Sequence, residues 1–282
     1  MSLVVFSGLI GLLVAPGHLN PVLAFTAVLC IAVAAGACGA INMWYDRDID
    51  AIMRRTRNRP IPAGRIEPGA ALAYGIILAV GAVLVMGLSV NFVAAGVLAL
   101  SIAFYVFVYT IWLKRRTPHN IVIGGAAGAF PPLVGWTAVT GSVDLIPLAL
   151  FAIIFIWTPP HFWSLALFAN EDYRRAGVPM LPVVAGAKET RRQIVLYTLL
   201  LVPITLVPWF LGFSGPVYAV AAMALGCGFL VSVWRVATDR QDATGVSLTN
   251  DAPARAAFRF SIAYLFVLFG ALAVDRFVSF AH

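Results

Sequence analysis

The sequence predicts an all-α polytopic membrane protein: nine transmembrane helices around a central cavity, arranged as two four-helix halves plus a ninth helix. Three observations lead there. The 282-residue chain is 61% hydrophobic and only 11% charged, with a mean hydropathy of +0.93, more apolar surface than a water-soluble fold can hide. Its apolar runs recur near the roughly 20 residues needed to cross a bilayer. Of its 19 basic residues, all but Arg276 fall in or beside alternate connectors.

Taken in order, the runs are about 2–15, 21–45, 69–88, 92–113, 121–139, 145–169, 193–213, 216–236 and 256–278. The connectors at about 46–68, 114–120, 170–192 and 237–255, with their flanks, carry the arginines and lysines; those at 16–20, 89–91, 140–144 and 214–215 carry none. The positive-inside rule puts the basic connectors in the cytoplasm, the amino terminus inside and the carboxyl terminus outside. The net charge of +7 is therefore a topology signal, and no nucleic-acid partner is implied. The whole of 1–282 reads as one domain whose surroundings are the lipid bilayer. The first run would reach only ~21 Å as a helix against a hydrocarbon core of ~30 Å, so its beginning is expected to be missing. It lacks the basic region and cleavage site of a signal peptide. Cys30, Cys38 and Cys227 lie inside apolar runs without metal or disulfide spacing and read as small packing residues.

The second run ends in the most informative stretch, Asn42 to Arg65, with three carboxylates, six arginines and two prolines. Asn42, Asp46 and Asp50 recur every four residues, so on a helix they advance by only ~40° per step and share one face. Two carboxylates and an amide oxygen form a hard-oxygen site suited to Mg²⁺, which takes a few carboxylates together with substrate phosphate. The ordinary reading is a solvated helix end whose acids pair with Arg47 and Arg54. Carboxylates at a membrane edge are costly, which favours a functional role. Arg55 and Arg59 follow at the same spacing and can meet phosphate oxygens. Pro60 and Pro62 are expected to stop that helix.

Further along, Lys114 to Arg116 place cations at a helix C-terminus, stabilising in any protein. Gly124 to Gly128 permit close helix approach. Within the sixth run, Pro159 and Pro160 are expected to kink or break the helix beside His161. His161 lies 11 residues before Asp172, ~16 Å along a helical path. It can satisfy the kink, ligate haem iron, or form a polar wall beside a bulky substrate. In the next basic connector, Asp172 can hold a second Mg²⁺ and Arg174 a phosphate, or the segment is an ordinary turn. The stretch 237–255 offers no specific chemistry.

With these residues placed, the chain resembles the UbiA-type intramembrane prenyltransferases. Within them it is similar to the branch that farnesylates protohaem IX. The superfamily resemblance rests on N-x3-D-x3-D at 42–50, nine helices and a second acidic loop. The narrower one rests on YDRDID at 45–50, RT-x2-RP at 55–60, the Gly-rich 120–136, PPHFW at 159–163 and DYRRAGVPMLP at 172–182. Members usually carry a Lys-Pro-Arg segment ahead of the equivalent of Ser2, where this chain starts. The resemblance implies transfer of a farnesyl group from farnesyl diphosphate to a vinyl group of haem B, giving haem O. It implies Mg²⁺ on Asn42, Asp46, Asp50 and Asp172, a diphosphate clamp of Arg55, Arg59, Lys114 and Arg174, and haem contacts from His161, Asn120 and Tyr173. Haem B is then a substrate and not a fixed cofactor. The setting would be a bacterial inner membrane, with haem A synthase or a terminal oxidase downstream. Other readings are a prenyltransferase for a quinone precursor or chlorophyllide, a non-catalytic haem-binding subunit, and a cation-coupled transporter. Transporters hold their ionisable groups near the midplane, and these acids cluster at one face.

Overall fold

The structure, a computed structural model, describes residues 2–242 and 245–280 and is helical almost throughout. The helices are α1 (Ser2–Val14), α2 (Pro21–Tyr45), α3 (Arg47–Ile52), α4 (Pro68–Ser89), α5 (Phe92–Leu113), α6 (Asn120–Thr140) and α7 (Leu145–Phe168). There follow α8 (Asn170–Arg175), α9 (Leu181–Val184), α10 (Gly186–Thr205), α11 (Val207–Phe210), α12 (Pro216–Ala237) and α13 (Ala252–Phe280). Eight helical spans among the described residues are long and apolar enough to cross a membrane. α1, with 13 residues, is shorter than these.

The local signals are legible. Asn20 caps α2 by accepting from the Val22 amide at 2.9 Å, with Pro21 in the first turn. Asn91 caps α5 in the same way and ties it to α6 through the carbonyls of Thr137 and Ala138. α6 ends on Gly141 in the left-handed region, φ 67°.

Three expectations need correction. The acidic face at Asn42–Asp50 is not on one helix running to the prolines, because α3 ends at Ile52, well before Pro60. There the Asp50 carbonyl accepts the Thr56 hydroxyl at 3.0 Å and the chain turns. Pro159 and Pro160 do not break α7, nor do Pro131 and Pro132 break α6. Both pairs are buried, and near Pro159 the Thr158 and Ser164 hydroxyls bond the Ile154 and Pro160 carbonyls. The helix expected from 193 begins at Gly186, because Thr190, Arg191 and Ile194 form a buried face while Lys188 and Arg192 stay exposed. The connector after α12, read as offering no specific chemistry, is tied down at several described residues. Arg191 reaches the Gly245 carbonyl at 2.9 Å and Asp251 at 3.4 Å, while Asp239 accepts from Ser247 and Thr249.

Packing falls into two sets. α2, α4, α5 and α6 pack on one another in sequence; α7, α10, α12 and α13 do likewise; α6 against α7 joins them, and α1 lies on α6, α13 and α2. The second set is filled by large buried side chains, Tyr218, Phe229, Tyr264, Leu201 and Leu268 among them. The first set is built from Ala27, Cys30, Ala34, Ala82, Ala94 and Ala95, and such small residues leave space beside them.

One polar contact fastens the second set at the opposite end from the basic connectors. Asp275 of α13 is 2% exposed, and its carboxylate accepts from the backbone amides of Gly215, Val217 and Tyr218, which open α12. The sequence pattern does not show this cap, because its residues are about 60 apart. Asp275→Ala would leave buried amides unpaired, so we expect a loss of about 3 kcal/mol, read as a lowered Tm in detergent.

Candidate active site

Asp46 joins α2 to α3 without losing register: its amide bonds the Asn42 carbonyl at 2.9 Å, and the Asp50 amide bonds Asp46 at 2.8 Å. The repeat thus keeps its three side chains close to one face. All are buried, with Asn42 7%, Asp46 0% and Asp50 2% exposed. Asn42 Nδ2 donates to Asp46 Oδ2 at 2.9 Å and to Thr110 Oγ1 at 3.2 Å. A buried carboxylate stays charged only beside cations. The Lys114 ammonium sits on Asp46 Oδ2, Arg115 reaches Oδ1 at 3.3 Å, and Arg59 donates to Asp50 at 2.8 Å. Arg115 also grips Asp48 at 2.6 and 2.7 Å and holds that carboxyl below the usual carboxylate range.

Lys114 reaches the acids because α5 changes to π-helical turns over Phe104–Leu113, with the Lys114 amide bonding the Tyr109 carbonyl. Tyr109 packs where α6 has Gly124, whose missing side chain makes room for the ring. Tyr105, Tyr109 and Thr110 were not singled out from the sequence, and Arg115 only as a member of its triplet. Only the basic triplet at 114–116 hinted at them, and it was explained by helix-end electrostatics.

Asn42, Asp50, Arg59, Lys114 and Tyr109 open onto a cavity of ≈ 510 Å³, whereas Asp46, fully buried against Asn42 and Lys114, is not among its lining residues. Its polar end is lined by Asn42, Asp50, Arg55, Arg59, Lys114, Asn120 and Tyr173; its apolar reach includes Tyr105, Tyr109, Trp157, His161 and Phe162. Arg55 donates to the Tyr173 hydroxyl at 3.3 Å, linking the two acidic loops. Beneath that link Ile49, Met53, Ile121, Tyr173, Val178 and Met180 pack together. Asn120 is fully buried, gives its amide to the Thr117 carbonyl at 2.6 Å, and leaves Oδ1 without a partner.

Two expected residues are not brought in. Arg174 is turned to the exposed side of α8, paired with Glu171 at 2.6 Å, because Tyr173 takes the buried side of that short helix. Asp172 is half-buried and is not among the residues lining the cavity. Among the described residues, no group of three or more His, Cys, Asp or Glu is poised to hold a metal, so the four-ligand set with Asp172 is not assembled. The smaller set of Asn42, Asp46 and Asp50 has the donor chemistry that a divalent cation takes. It offers hard oxygens on one face, and its carboxylates already hold cationic groups from Lys114 and Arg59.

Comparison with known proteins now bears on this geometry. The model of the UbiA prenyltransferase family matches residues 4–262. The chain belongs to this family. A protein of Granulibacter bethesdensis named protoheme IX farnesyltransferase is 70% identical over 278 residues, 99% of this chain and 88% of the relative. One of Acidiphilium cryptum bearing the same name is 67% identical over the same shares. Among solved structures, that of a digeranylgeranylglyceryl phosphate synthase superposes with a TM-score of 0.78 at 19% identity, covering 97% of this chain and 92% of that one. A UbiA homolog from Archaeoglobus fulgidus bound to GPP and Mg²⁺ gives 0.68 at 16% identity, over 95% and 96%. At such identities these likenesses establish the fold alone.

Proposed function

We propose that this prenyltransferase moves the farnesyl group of farnesyl diphosphate onto a vinyl group of haem B, forming haem O and diphosphate. The observation that carries the proposal is identity of 55–70% with relatives named for that transfer, along nearly the whole chain. A single cavity with a cationic end and an aromatic, apolar reach supports it, since both substrates are largely apolar and carry their anionic groups at one end or edge.

Asn42, Asp46 and Asp50 would hold Mg²⁺, as the prenyl-diphosphate complex of the Archaeoglobus fulgidus homolog encourages. The bound ion would neutralise the leaving diphosphate. Arg55, Arg59 and Lys114 line the same end and would bind its oxygens, with Lys114 and Arg59 released from Asp46 and Asp50. Arg174 is left out of the clamp, and Asp172 stands as a charge beside the site. As the allylic C–O bond breaks, the terminal vinyl carbon bonds the farnesyl C1. Water then adds its oxygen to the inner vinyl carbon and loses a proton. Tyr105 and Tyr109 line the cavity where their rings would stabilise cationic carbon, and the apolar walls would keep water away until the C–C bond has formed. His161, Asn120 and Tyr173 are assigned to the haem.

In this reading the two packed sets are the halves of the bundle, and α1 is a ninth crossing segment that closes the cavity with Leu3, Val4 and Ser7. The polar end faces the cytoplasm of a bacterial inner membrane, and haem A synthase or a terminal oxidase takes the product. The test is direct. Purified protein with Mg²⁺, farnesyl diphosphate and haem B should yield haem in which one vinyl has become hydroxyethylfarnesyl, by mass. No such product, with hydroxybenzoate prenylated instead, would overturn the reading in favour of a quinone precursor.

A further inference from the structure

His161 carries a contact that the transfer reading leaves unused. It lines the cavity and is 8% exposed. Its ring lies between Trp157 (4.3 Å, 17°) and Phe258 (4.7 Å, 24°), with Phe162 edge-on at 5.0 Å. Its Nδ1 is 2.7 Å from the Ser261 hydroxyl, itself 2.7 Å from the Phe258 carbonyl oxygen. A hydroxyl has one proton, and a carbonyl only accepts. Ser261 therefore donates to Phe258 and accepts from His161, which puts the imidazole proton on Nδ1 and the lone pair on Nε2. The Ser261 carbonyl accepts the Trp157 indole at 2.9 Å, so one residue of α13 fixes both rings of α7.

Local needs of the helix do not explain this histidine. The carbonyls that Pro159 and Pro160 leave without an amide are those of Phe155 and Ile156, and the side-chain partner of His161 is neither of them but Ser261 on α13. A buried imidazole with one nitrogen given to a fixed acceptor and the other bare is the arrangement that holds a metal. We propose that His161 Nε2 binds the iron of the haem substrate axially. Ser261 is its positioning residue, setting the tautomer and the ring plane; this rests on the haem reading of the cavity. Iron held at one point leaves the macrocycle free only to turn about the Fe–N bond. The cavity wall can then select which vinyl edge meets the prenyl donor. No electron changes hands in this step, since the imidazole lone pair simply fills a coordination position.

The test titrates the full-length protein in detergent with ferric haem B. Wild type should give a Soret band distinct from haem in empty micelles, with a hyperfine pattern altered by ¹⁵N-histidine labelling. His161→Gly should lose both signatures and recover the band with added imidazole, which also shows that its pocket has folded. Ser261→Ala should weaken haem binding ~10-fold or more and shift the band, whereas Ser261→Thr, which keeps the hydroxyl, should stay near wild type. An unchanged band in His161→Gly, with wild type still making prenylated haem, would overturn axial ligation alone. Unchanged binding and band in Ser261→Ala would overturn the positioning role. A wild type that neither binds nor prenylates haem would overturn the underlying reading too, so the failures are distinguishable.

Discussion

Asp46→Ala is expected to reduce farnesyl transfer by at least ~10²-fold, with the protein still inserted in the membrane. Asp46 is the most enclosed member of the triplet, at 0% exposure, and it receives Asn42, Lys114 and Arg115 together. Its charge is therefore the hub where the metal-side and phosphate-side groups meet. The confounding effect is structural, because removing one partner of a buried ion pair costs up to about 3–5 kcal/mol. Here the cost should be smaller. Lys114 opens to the cavity with a side-chain exposure of 17%, and Arg115 keeps Asp48 at 2.6 Å. Two companions separate the causes. Lys114→Met keeps the oxygen donors and should lose less activity than Asp46→Ala. The double variant removes the unpaired cation and should regain Tm without regaining turnover. Product is read by haem mass, and insertion by membrane-fraction yield. Undiminished product from Asp46→Ala would refute the metal assignment.

The acidic repeat was legible because its physics is local. A four-residue spacing survives the α2–α3 junction, as two backbone bonds preserve the helical rise there. Eight of the nine expected spans were legible for a similar reason, since hydropathy is summed along the chain; α1, at 13 residues, is shorter than these. What escaped depends on contacts distant in sequence. Ser261 is 100 residues from His161, Asp275 about 60 from the α12 amides it caps, and Arg115 67 from Asp48. A serine in an apolar run carries no periodic signal. Arg174 was misplaced because adjacent positions on a short helix diverge by ~100°, and Tyr173 claimed the inner side. Arg55 shows the reverse error: its helix ends early, yet the turn still delivers it to the cavity through Tyr173.

Packing glycines teach the same point, and they supply the second large effect. Of the glycines singled out at 124–128, Gly124 and Gly125 do pack closely, against Tyr109 and Thr158, while Gly128 has open space around it and lines the cavity. The tightest approach lies elsewhere. A Cβ on Gly135 would collide with the Gly8 carbonyl oxygen and stand 2.8 Å from the Leu12 amide, and one on Gly11 would stand 2.6 Å from the Pro132 Cα. α1 is thus set backbone-to-backbone on α6, where no rotamer change can relieve an added methyl. Gly135→Val should destabilise the protein by about 3 kcal/mol and displace α1. Because Leu3, Val4 and Ser7 of α1 line the cavity, turnover should fall with it. Gly128→Ala is the control. It should hold or slightly raise Tm, as alanine is the better helix former, and raise KM by narrowing the apolar reach. A Gly135→Val protein with wild-type Tm and turnover would mean that α1 is not seated on α6 as described, and that the cavity does not need it as a wall.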